Sequence, residues 1–201
     1  MKQLNDFIYY INGISQPLSS GLALIKGKEN NWLFDVGNGE DTLNEIKDIE
    51  NKTIVLSHFH PDHISNLRNL DYKKLYVGDN TYKYTNQGEI VNSDLYIEDG
   101  YRFHIFPISN CHAKGSLGLQ VNNYCFIGDS LAPTYKKNKY VYNVQLLKNQ
   151  IDEFMKLDCD YFIGSHNFEK IMTKQEVINR LLDIYNRTIK DSSYIEFHDF
   201  M

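Results

Sequence analysis

The feature that most restricts the fold of this chain is a histidine-rich segment directly after a short apolar run. Residues 53–56 are apolar or β-branched, as expected of a buried strand, and the next seven residues read Ser-His-Phe-His-Pro-Asp-His. Because alternate residues of an extended chain point the same way, His58 and His60 can converge on one point. The turn at the following proline directs Asp62 and His63 toward a neighbouring point. A loop of this kind can serve two adjacent metal ions.

Short apolar and aromatic runs recur along the chain between turn residues. We predict strands at residues 7–11, 21–25, 32–34, 53–56, 74–77, 101–108, 117–121, 124–127 and 161–163. We predict helices at residues 40–49, 63–70, 144–157 and 174–190. The last helix opens on a capping box formed by Thr173 and Glu176, and Asn122-Asn123 suits a hairpin turn. Runs of strands with helices between and after them predict a layered mixed α/β (α+β) fold, and 201 residues predict one domain spanning 1–201.

Composition narrows the possible partners and the compartment. The chain has 21 basic and 26 acidic residues, a net charge of −5, which gives no general attraction for phosphate backbones, so we expect no nucleic-acid partner. No apolar stretch approaches the roughly 18–20 residues of a membrane span, and the N-terminus lacks the apolar core of a signal peptide. Three cysteines without a C-x-x-C pair favour reduced thiols. We therefore expect a cytoplasmic protein; its oligomeric state is not indicated.

The histidine-rich segment, His58-x-His60-x-Asp62-His63, resembles the H-x-H-x-D-H signature of the metallo-β-lactamase superfamily. Other elements of that family occur in the same order, namely Phe-Asp-Val-Gly at 34–37, Cys-His-Ala-Lys-Gly-Ser at 111–116, Gly-Asp-Ser at 128–130 and Gly-Ser-His at 164–166. Their spacing resembles the compact hydrolases of the family, with a glyoxalase II-like or lactonase-like ligand pattern. The resemblance covers roughly residues 5–170. It implies a four-layer αββα sandwich with the metal site at the edge between the two sheets.

The resemblance also implies a set of seven metal ligands. One ion would be held by His58, His60 and His112, the second by Asp62, His63 and His166, with Asp129 bridging the two. Five neutral imidazoles and two carboxylates suit Zn²⁺ first, with Mn²⁺ or Fe²⁺ as alternatives. Asp62 and Asp129 are the candidate catalytic residues, because each could orient a hydroxide or take its proton. By resemblance Asp35 accepts the far N–H of a ligating histidine, and the alternative is an aspartate that only caps the turn before Gly37.

The ligand pattern separates the branches of the family. His60 stands where oxygen-reducing di-iron members carry Glu, so the site resembles the hydrolytic branch. The presence of both His63 and Asp129 differs from true β-lactamases. We therefore expect a dinuclear metal-dependent hydrolase in which a hydroxide held by the metals attacks an ester, thioester or lactone of a small molecule. The alternatives are a phosphodiesterase of the same superfamily and a non-catalytic metal-binding or interaction module on the same fold.

Substrate contacts are the least specified part of the sequence. Residues 134–142 alternate cations and aromatic rings, and we predict that Tyr135 and Tyr140 contact the substrate; the alternative is a solvated surface loop. Lys114 follows shortly after His112 and could reach a substrate carboxylate or point into water. The two remaining histidines, at 104 and 198, are assigned to packing or solvent.

Overall fold

The computed structural model describes residues 1–197 and consists of strands gathered into two large sheets with helices beside them. The strands are β1 (Lys2–Gln3), β2 (Ile8–Ile11), β3 (Ile14–Ser15), β4 (Leu18–Ser19), β5 (Leu22–Lys26), β6 (Asn31–Phe34), β7 (Lys52–Val55), β8 (Lys74–Val77), β9 (Glu89–Ile90), β10 (Leu95–Glu98), β11 (Arg102–Ile108), β12 (Ser116–Val121), β13 (Tyr124–Phe126), β14 (Thr134–Lys136), β15 (Lys139–Asn143), β16 (Tyr161–Ile163), β17 (Met172–Thr173) and β18 (Tyr194–Phe197). The helices are α1 (Glu40–Ile46), α2 (Pro61–Ile64), a 3-10 helix (Ser65–Asn69), α3 (Asp79–Thr85), α4 (Val144–Lys156) and α5 (Lys174–Tyr185).

Each large sheet combines antiparallel and parallel pairs. The first sheet has the order β1-β2-β5-β6-β7-β8-β9, antiparallel as far as β6 and parallel from there on. The second has the order β10-β11-β12-β13-β16-β17, in which β13 and β16 run parallel. The predicted turn joins β12 to β13, with Asn122 in the left-handed region at φ 48°. The first sheet thus ends in four parallel strands, β6 to β9, and the second contains one parallel pair.

Three apolar clusters separate four layers of secondary structure. Between the sheets, the rings of Trp32 and Phe103 stack with centroids 4.1 Å apart. On the outer face of the first sheet, Ile46 of α1 packs against buried strand residues. On the outer face of the second, Phe154 of α4 and Leu181 of α5 do the same. Each sheet is therefore covered on both faces, which explains its uninterrupted apolar strands. The expected αββα sandwich is confirmed.

The nine predicted strands are confirmed with small shifts at their ends, and several other elements differ from expectation. The predicted helix 63–70 is a short α2 followed by the 3-10 helix. The carbonyl oxygen of His63 accepts from the backbone N–H groups of Val36 and Gly37, so it is diverted from continuing an α-helix. Helix α3 and the sheet β14-β15-β18 were not predicted. The last predicted helix ends at Tyr185 instead of residue 190.

Helix α5 begins as the sequence predicts. The Thr173 hydroxyl accepts from the backbone N–H of Glu176, and the Glu176 carboxylate accepts from the backbone N–H of Thr173. None of the helices within residues 1–197 has both the length and the apolarity that crossing a membrane requires.

Candidate metal centre

The predicted ligands lie on loops and on the short helix α2 at one edge of the two sheets. Parallel strands end at the same edge, so side chains that follow them are brought together. The loops concerned place Asp35 after β6, His58, His60, Asp62 and His63 after β7, His112 between β11 and β12, Asp129 after β13 and His166 after β16. All seven predicted ligand side chains meet there in two adjoining groups.

The first group, here called the three-histidine group, comprises His58, His60 and His112. His60 Nδ1 lies 2.9 Å from His58 Nε2 and 3.0 Å from His112 Nε2. Two nitrogens bound at about 2.0–2.1 Å to one tetrahedral ion lie about 3.4 Å apart, so three nitrogens this close surround a space suited to a single ion. Burial lowers the pKa of His58 and His60, and neighbouring histidines lower it further, which keeps both imidazoles neutral and able to act as ligands.

The second group, here called the mixed group, comprises Asp62, His63, Asp129 and His166. His63 Nε2 lies 3.5 Å from Asp62 Oδ2 and 3.4 Å from Asp129 Oδ2. His166 Nε2 lies 3.5 Å and 3.0 Å from the same two oxygens. These separations again match ligands that share one ion. His166 is the most exposed of the four, at 46% of its side chain, so this group opens to solvent.

Asp129 joins the two groups. Its Oδ2 atom lies 3.5 Å from His112 Nε2 in the three-histidine group as well as beside the two histidines of the mixed group. Burial raises the pKa of Asp129, but the hydrogen bond from His166 and the charges of His63 and His166 lower it overall, so the carboxylate is ionised. A single anionic oxygen beside both groups is the arrangement that a bridging ligand requires.

Two observations show that the mixed group suits a cation. His63 Nε2 is buried and has no hydrogen-bond partner among residues 1–197, which is costly unless something else satisfies its lone pair. Burial lowers the pKa of His63, but the charges of Asp35 and Asp129 and the hydrogen bond to Asp35 outweigh it and raise the pKa to about 10. The site therefore holds a strongly negative potential at a nitrogen whose neutral form is a metal ligand. The residues fit two divalent cations.

Hydrogen bonds behind the site set which nitrogen faces inward in three of the histidines. Asp35 Oδ2 accepts from His63 Nδ1 at 2.8 Å, which leaves Nε2 free for the site. Ser57 Oγ donates to Asp35 at 2.8 Å and therefore accepts from His58 Nδ1 at 3.0 Å. The carbonyl oxygen of Pro133 lies 3.4 Å from His112 Nδ1 and can only accept, so the protonated edge of that ring also points outward.

Sequence reasoning placed Asp35 here but missed the part played by Ser57. Asp35 is fully buried and accepts from the Ser57 N–H at 2.7 Å and from Ser165 Oγ at 3.3 Å as well as from His63. It has a left-handed backbone at φ 64°, which Asp tolerates better than most residues. Ser57 stands directly before the histidine motif, and that position at a strand end is the signal that could have identified it.

The structure also places the predicted substrate contacts. Lys114 is exposed, with no hydrogen bond or ion pair to any part of the described chain. Tyr135 and Tyr140 face each other across the β14–β15 hairpin, with ring centroids 5.1 Å apart, and are 62% and 44% exposed. The hairpin begins directly after Pro133, beside His112. A role for these three residues in substrate binding stays a prediction.

The other two histidines lie apart from this cluster or beyond the described chain. His104 Nε2 lies 2.6 Å from Asp94 Oδ1, and its ring stacks on Tyr96. This agrees with the packing role expected for it. His198 lies outside the described residues.

Comparison with known proteins gives likenesses in structure alone. No family model matches the chain, and no curated protein matches it. Among solved structures, a metallo-β-lactamase superfamily protein from Sulfolobus tokodaii is 17% identical, with a TM-score of 0.62 over 92% of this chain and 89% of that one. A peroxy di-iron form of the chemotaxis sensor ODP is 16% identical, with a TM-score of 0.68 over 91% and 93%.

A mutant of a flavo di-iron protein from Thermotoga maritima is 15% identical, with a TM-score of 0.65 over 86% of this chain. The chain covers 54% of that protein, about half its length. These likenesses include both metallo-β-lactamase and di-iron proteins, and the paired histidine and aspartate groups fit a dinuclear site in either case. Taken with the four-layer architecture, they show that the chain has the metallo-β-lactamase fold.

Proposed function

We propose that this protein is a dinuclear metal-dependent hydrolase that cleaves an ester, thioester or lactone of a small molecule. The observation that carries the proposal is the position of Asp129 Oδ2, within 3.5 Å of a histidine nitrogen of each ligand group. The three-histidine group would hold one ion and the mixed group the second, and borderline nitrogen and oxygen donors favour Zn²⁺. When bound, two such cations polarise a carbonyl oxygen and make water acidic enough to act as a nucleophile near neutral pH.

The chain's own residues supply positioning and proton transfer. Asp62 and Asp129 are the carboxylates at the opening of the site, with 13% and 11% of their side chains exposed, so both can meet a water molecule. Both can orient that water, and Asp62 can accept its proton, whereas the lowered pKa of Asp129 makes it the weaker acceptor. Asp35 and Ser57 hold His63 and His58 in the tautomers that direct Nε2 inward, and this preorganises the site before substrate arrives.

Side-chain nucleophiles are poor candidates, which supports water as the attacking group. Burial raises the pKa of the Cys111 thiol to about 11, and its sulfur accepts from the backbone N–H of Asn143 at 3.1 Å. Ser57 contacts both Asp35 and His63, but its hydroxyl is buried behind the histidine ligands. A substrate could not reach the Ser57 hydroxyl without displacing the site itself.

A second candidate is a di-iron centre that reacts with oxygen. It is favoured by the structural likeness to the chemotaxis sensor ODP and to a flavo di-iron protein. His60 stands where, by the resemblance described above, oxygen-reducing di-iron members carry Glu, and this favours the hydrolase. Iron content of protein purified without added metal, together with oxygen consumption in the presence of a reductant, tests this candidate directly.

The test of the hydrolase uses purified protein loaded with Zn²⁺ or Mn²⁺ and three substrate classes: thioesters, lactones and bis-4-nitrophenyl phosphate. We expect turnover of a thioester or a lactone. Turnover of the phosphate diester alone would replace the proposal with a phosphodiesterase. If protein that holds two metal ions turns over none of the three substrates, the hydrolase is refuted and a metal-binding module is the remaining interpretation.

A matched pair of histidine variants ties turnover to the site. His112→Ala removes a nitrogen of the three-histidine group, and we expect it to lose activity and about one metal ion per chain. His104→Ala removes a histidine that contacts Asp94 away from the site, and we expect it to retain both.

A further inference from the structure

A groove beside the three-histidine group is left unexplained by the metal site. It encloses about 450 Å³, which is within the range of small-molecule pockets. Its lining comes from the segment 59–68 and from the end of α3 with Gln87. His60 is part of that lining, so the groove adjoins the proposed reaction centre.

A pair of stacked rings forms the aromatic part of the groove. Phe59 and Tyr84 lie with ring centroids 4.5 Å apart and planes within 5° of parallel. The Phe59 ring also meets the ring of His60 edge-on, with centroids 5.0 Å apart, so the pair lies directly beside the three-histidine group. Tyr84 is 61% exposed, and the pair leaves an apolar face open beside the groove. Apolar side chains from the same segment, Ile64 and Leu67, continue the lining.

The groove also contains one unpaired cation. Arg68 lines it and has no hydrogen-bond, ion-pair or ring partner within residues 1–197. No acidic side chain is among the described lining residues, although the whole chain has a net charge of −5. By contrast, Arg102 on the opposite sheet lies over the ring of Tyr96 at 4.3 Å. A free guanidinium at an apolar groove is suited to bidentate binding of a carboxylate or phosphate.

We propose that this groove binds the arm of the substrate that is not cleaved, and that this arm is apolar, carries a ring and ends in a carboxylate or phosphate. The rings of Phe59 and Tyr84 would stack on the arm, and Arg68 would bind its anionic end. This inference rests on the proposed function, since His60 connects the groove to the reaction centre. It makes Tyr84 and Arg68 determinants of specificity.

The test measures binding without turnover, by calorimetric titration of the metal-loaded protein. The probes are 4-phenylbutyrate, 3-phenylpropyl phosphate and the neutral 4-phenylbutan-1-ol. We expect Arg68→Gln to lower the affinity for both anions about tenfold, because one charge-assisted interaction is lost, and to leave the affinity for the alcohol unchanged. We expect Tyr84→Ala to lower the affinity for all three probes about fivefold, because each probe carries a ring. The anion that binds more tightly to the parent protein identifies the end group.

Matched controls come from the opposite sheet and from conservative changes. Arg102→Gln and Tyr96→Ala remove an arginine and an aromatic ring on the second sheet, away from the groove, and we expect parental affinity for every probe. Tyr84→Phe retains the ring and should also bind as the parent does. Thermal unfolding midpoints establish that each variant is folded.

The groove proposal and the hydrolase proposal can be refuted independently of each other. Equal affinities of the Arg68→Gln variant and the parent for both anions would overturn the groove proposal, and so would equal losses for anions and alcohol. If the same protein still cleaves a thioester or lactone, the hydrolase stands without the groove. Probe binding in the expected pattern by a protein that cleaves neither would keep the groove as a ligand site and remove the hydrolase.

Discussion

The buried carboxylate of Asp35 gives the sharpest test of how the site is supported. Asp35→Asn keeps the shape of the side chain and replaces one oxygen by an NH₂ group. Asn also tolerates the left-handed backbone at φ 64°, so the substitution adds little strain of its own. Its effect therefore reports the loss of charge and of hydrogen-bond acceptance.

The size of the effect follows from the contacts that Asp35 makes. Oδ2 accepts from His63 Nδ1, Ser57 Oγ and Ser165 Oγ, while Oδ1 accepts from the Ser57 N–H. With the amide oxygen in the Oδ2 position, the NH₂ group faces the Ser57 N–H, and two donors meet in a buried place. We expect the free energy of unfolding of the metal-free protein to fall by about 3–5 kcal/mol. We expect affinity for the metal of the mixed group to fall about 10–100-fold.

Two assays measure these changes. Urea unfolding of metal-free protein gives the stability difference, and titration with Zn²⁺ against a competing chelator gives the metal affinities. Asp94→Asn is the matched control, because Asp94 also contacts a histidine, His104, but is 64% exposed. We expect that control to change stability by less than about 1 kcal/mol. An Asp35→Asn protein with parental metal affinity would refute the idea that Asp35 directs His63 toward the site.

Other parts of the fold give three further expectations. Asp99 is buried and accepts from the indole N–H of Trp32 at 2.8 Å. Burial raises the pKa of Asp99, but its hydrogen bonds lower that pKa overall. Its contribution to stability is therefore present above the ordinary pKa of 3.8 and is lost as the pH falls toward the lowered pKa. Asp99→Asn should therefore flatten the acid limb of a stability-against-pH curve measured by urea unfolding, and an unchanged limb would contradict this assignment. A Cβ at Gly128 would lie 2.6 Å from Ser57 Cβ, and the φ of Gly128 is +56°. Gly128→Ala should therefore lower the free energy of unfolding by about 1–3 kcal/mol, measured by urea unfolding, and weaken metal binding. A variant with parental metal content would disprove this. Thr173→Ala removes the N-cap of α5 and should cost about 1 kcal/mol in the same unfolding assay; no measurable loss would mean that the cap contributes nothing.

The position of the site was predictable because the chemistry is concentrated where strands end. The sequence predicts a strand at 53–56 because these residues are apolar or β-branched, and the structure confirms a buried strand there, so the residues after it lie at a sheet edge. The role of Ser57 was not predictable, because its contact with Asp35 depends on β6 and β7 being neighbours with a defined register. A single sequence does not encode that pairing in any local pattern.

Elements without an apolar period were missed for a related reason. Helix α3 has the sequence Asp-Asn-Thr-Tyr-Lys-Tyr-Thr, and its buried residue is Thr81. Because that residue is polar, the sequence has no apolar stripe at helical spacing from which a helix could be predicted. The β14–β15 hairpin is rich in lysine and tyrosine, and its partner β18 lies some 50 residues further along the chain. The ion pair of Lys139 with Glu196 links β15 to β18 and is visible only once the strands are paired.

The central claim is that two cations occupy adjoining positions at this edge of the sandwich. Anomalous diffraction from crystals of Zn²⁺-loaded protein, collected on both sides of the zinc absorption edge, tests it most directly. We expect two peaks per chain, one among His58, His60 and His112 and the other among Asp62, His63, Asp129 and His166. A chain with no peak at these residues, or with a peak in one group alone at saturating zinc, would contradict the account.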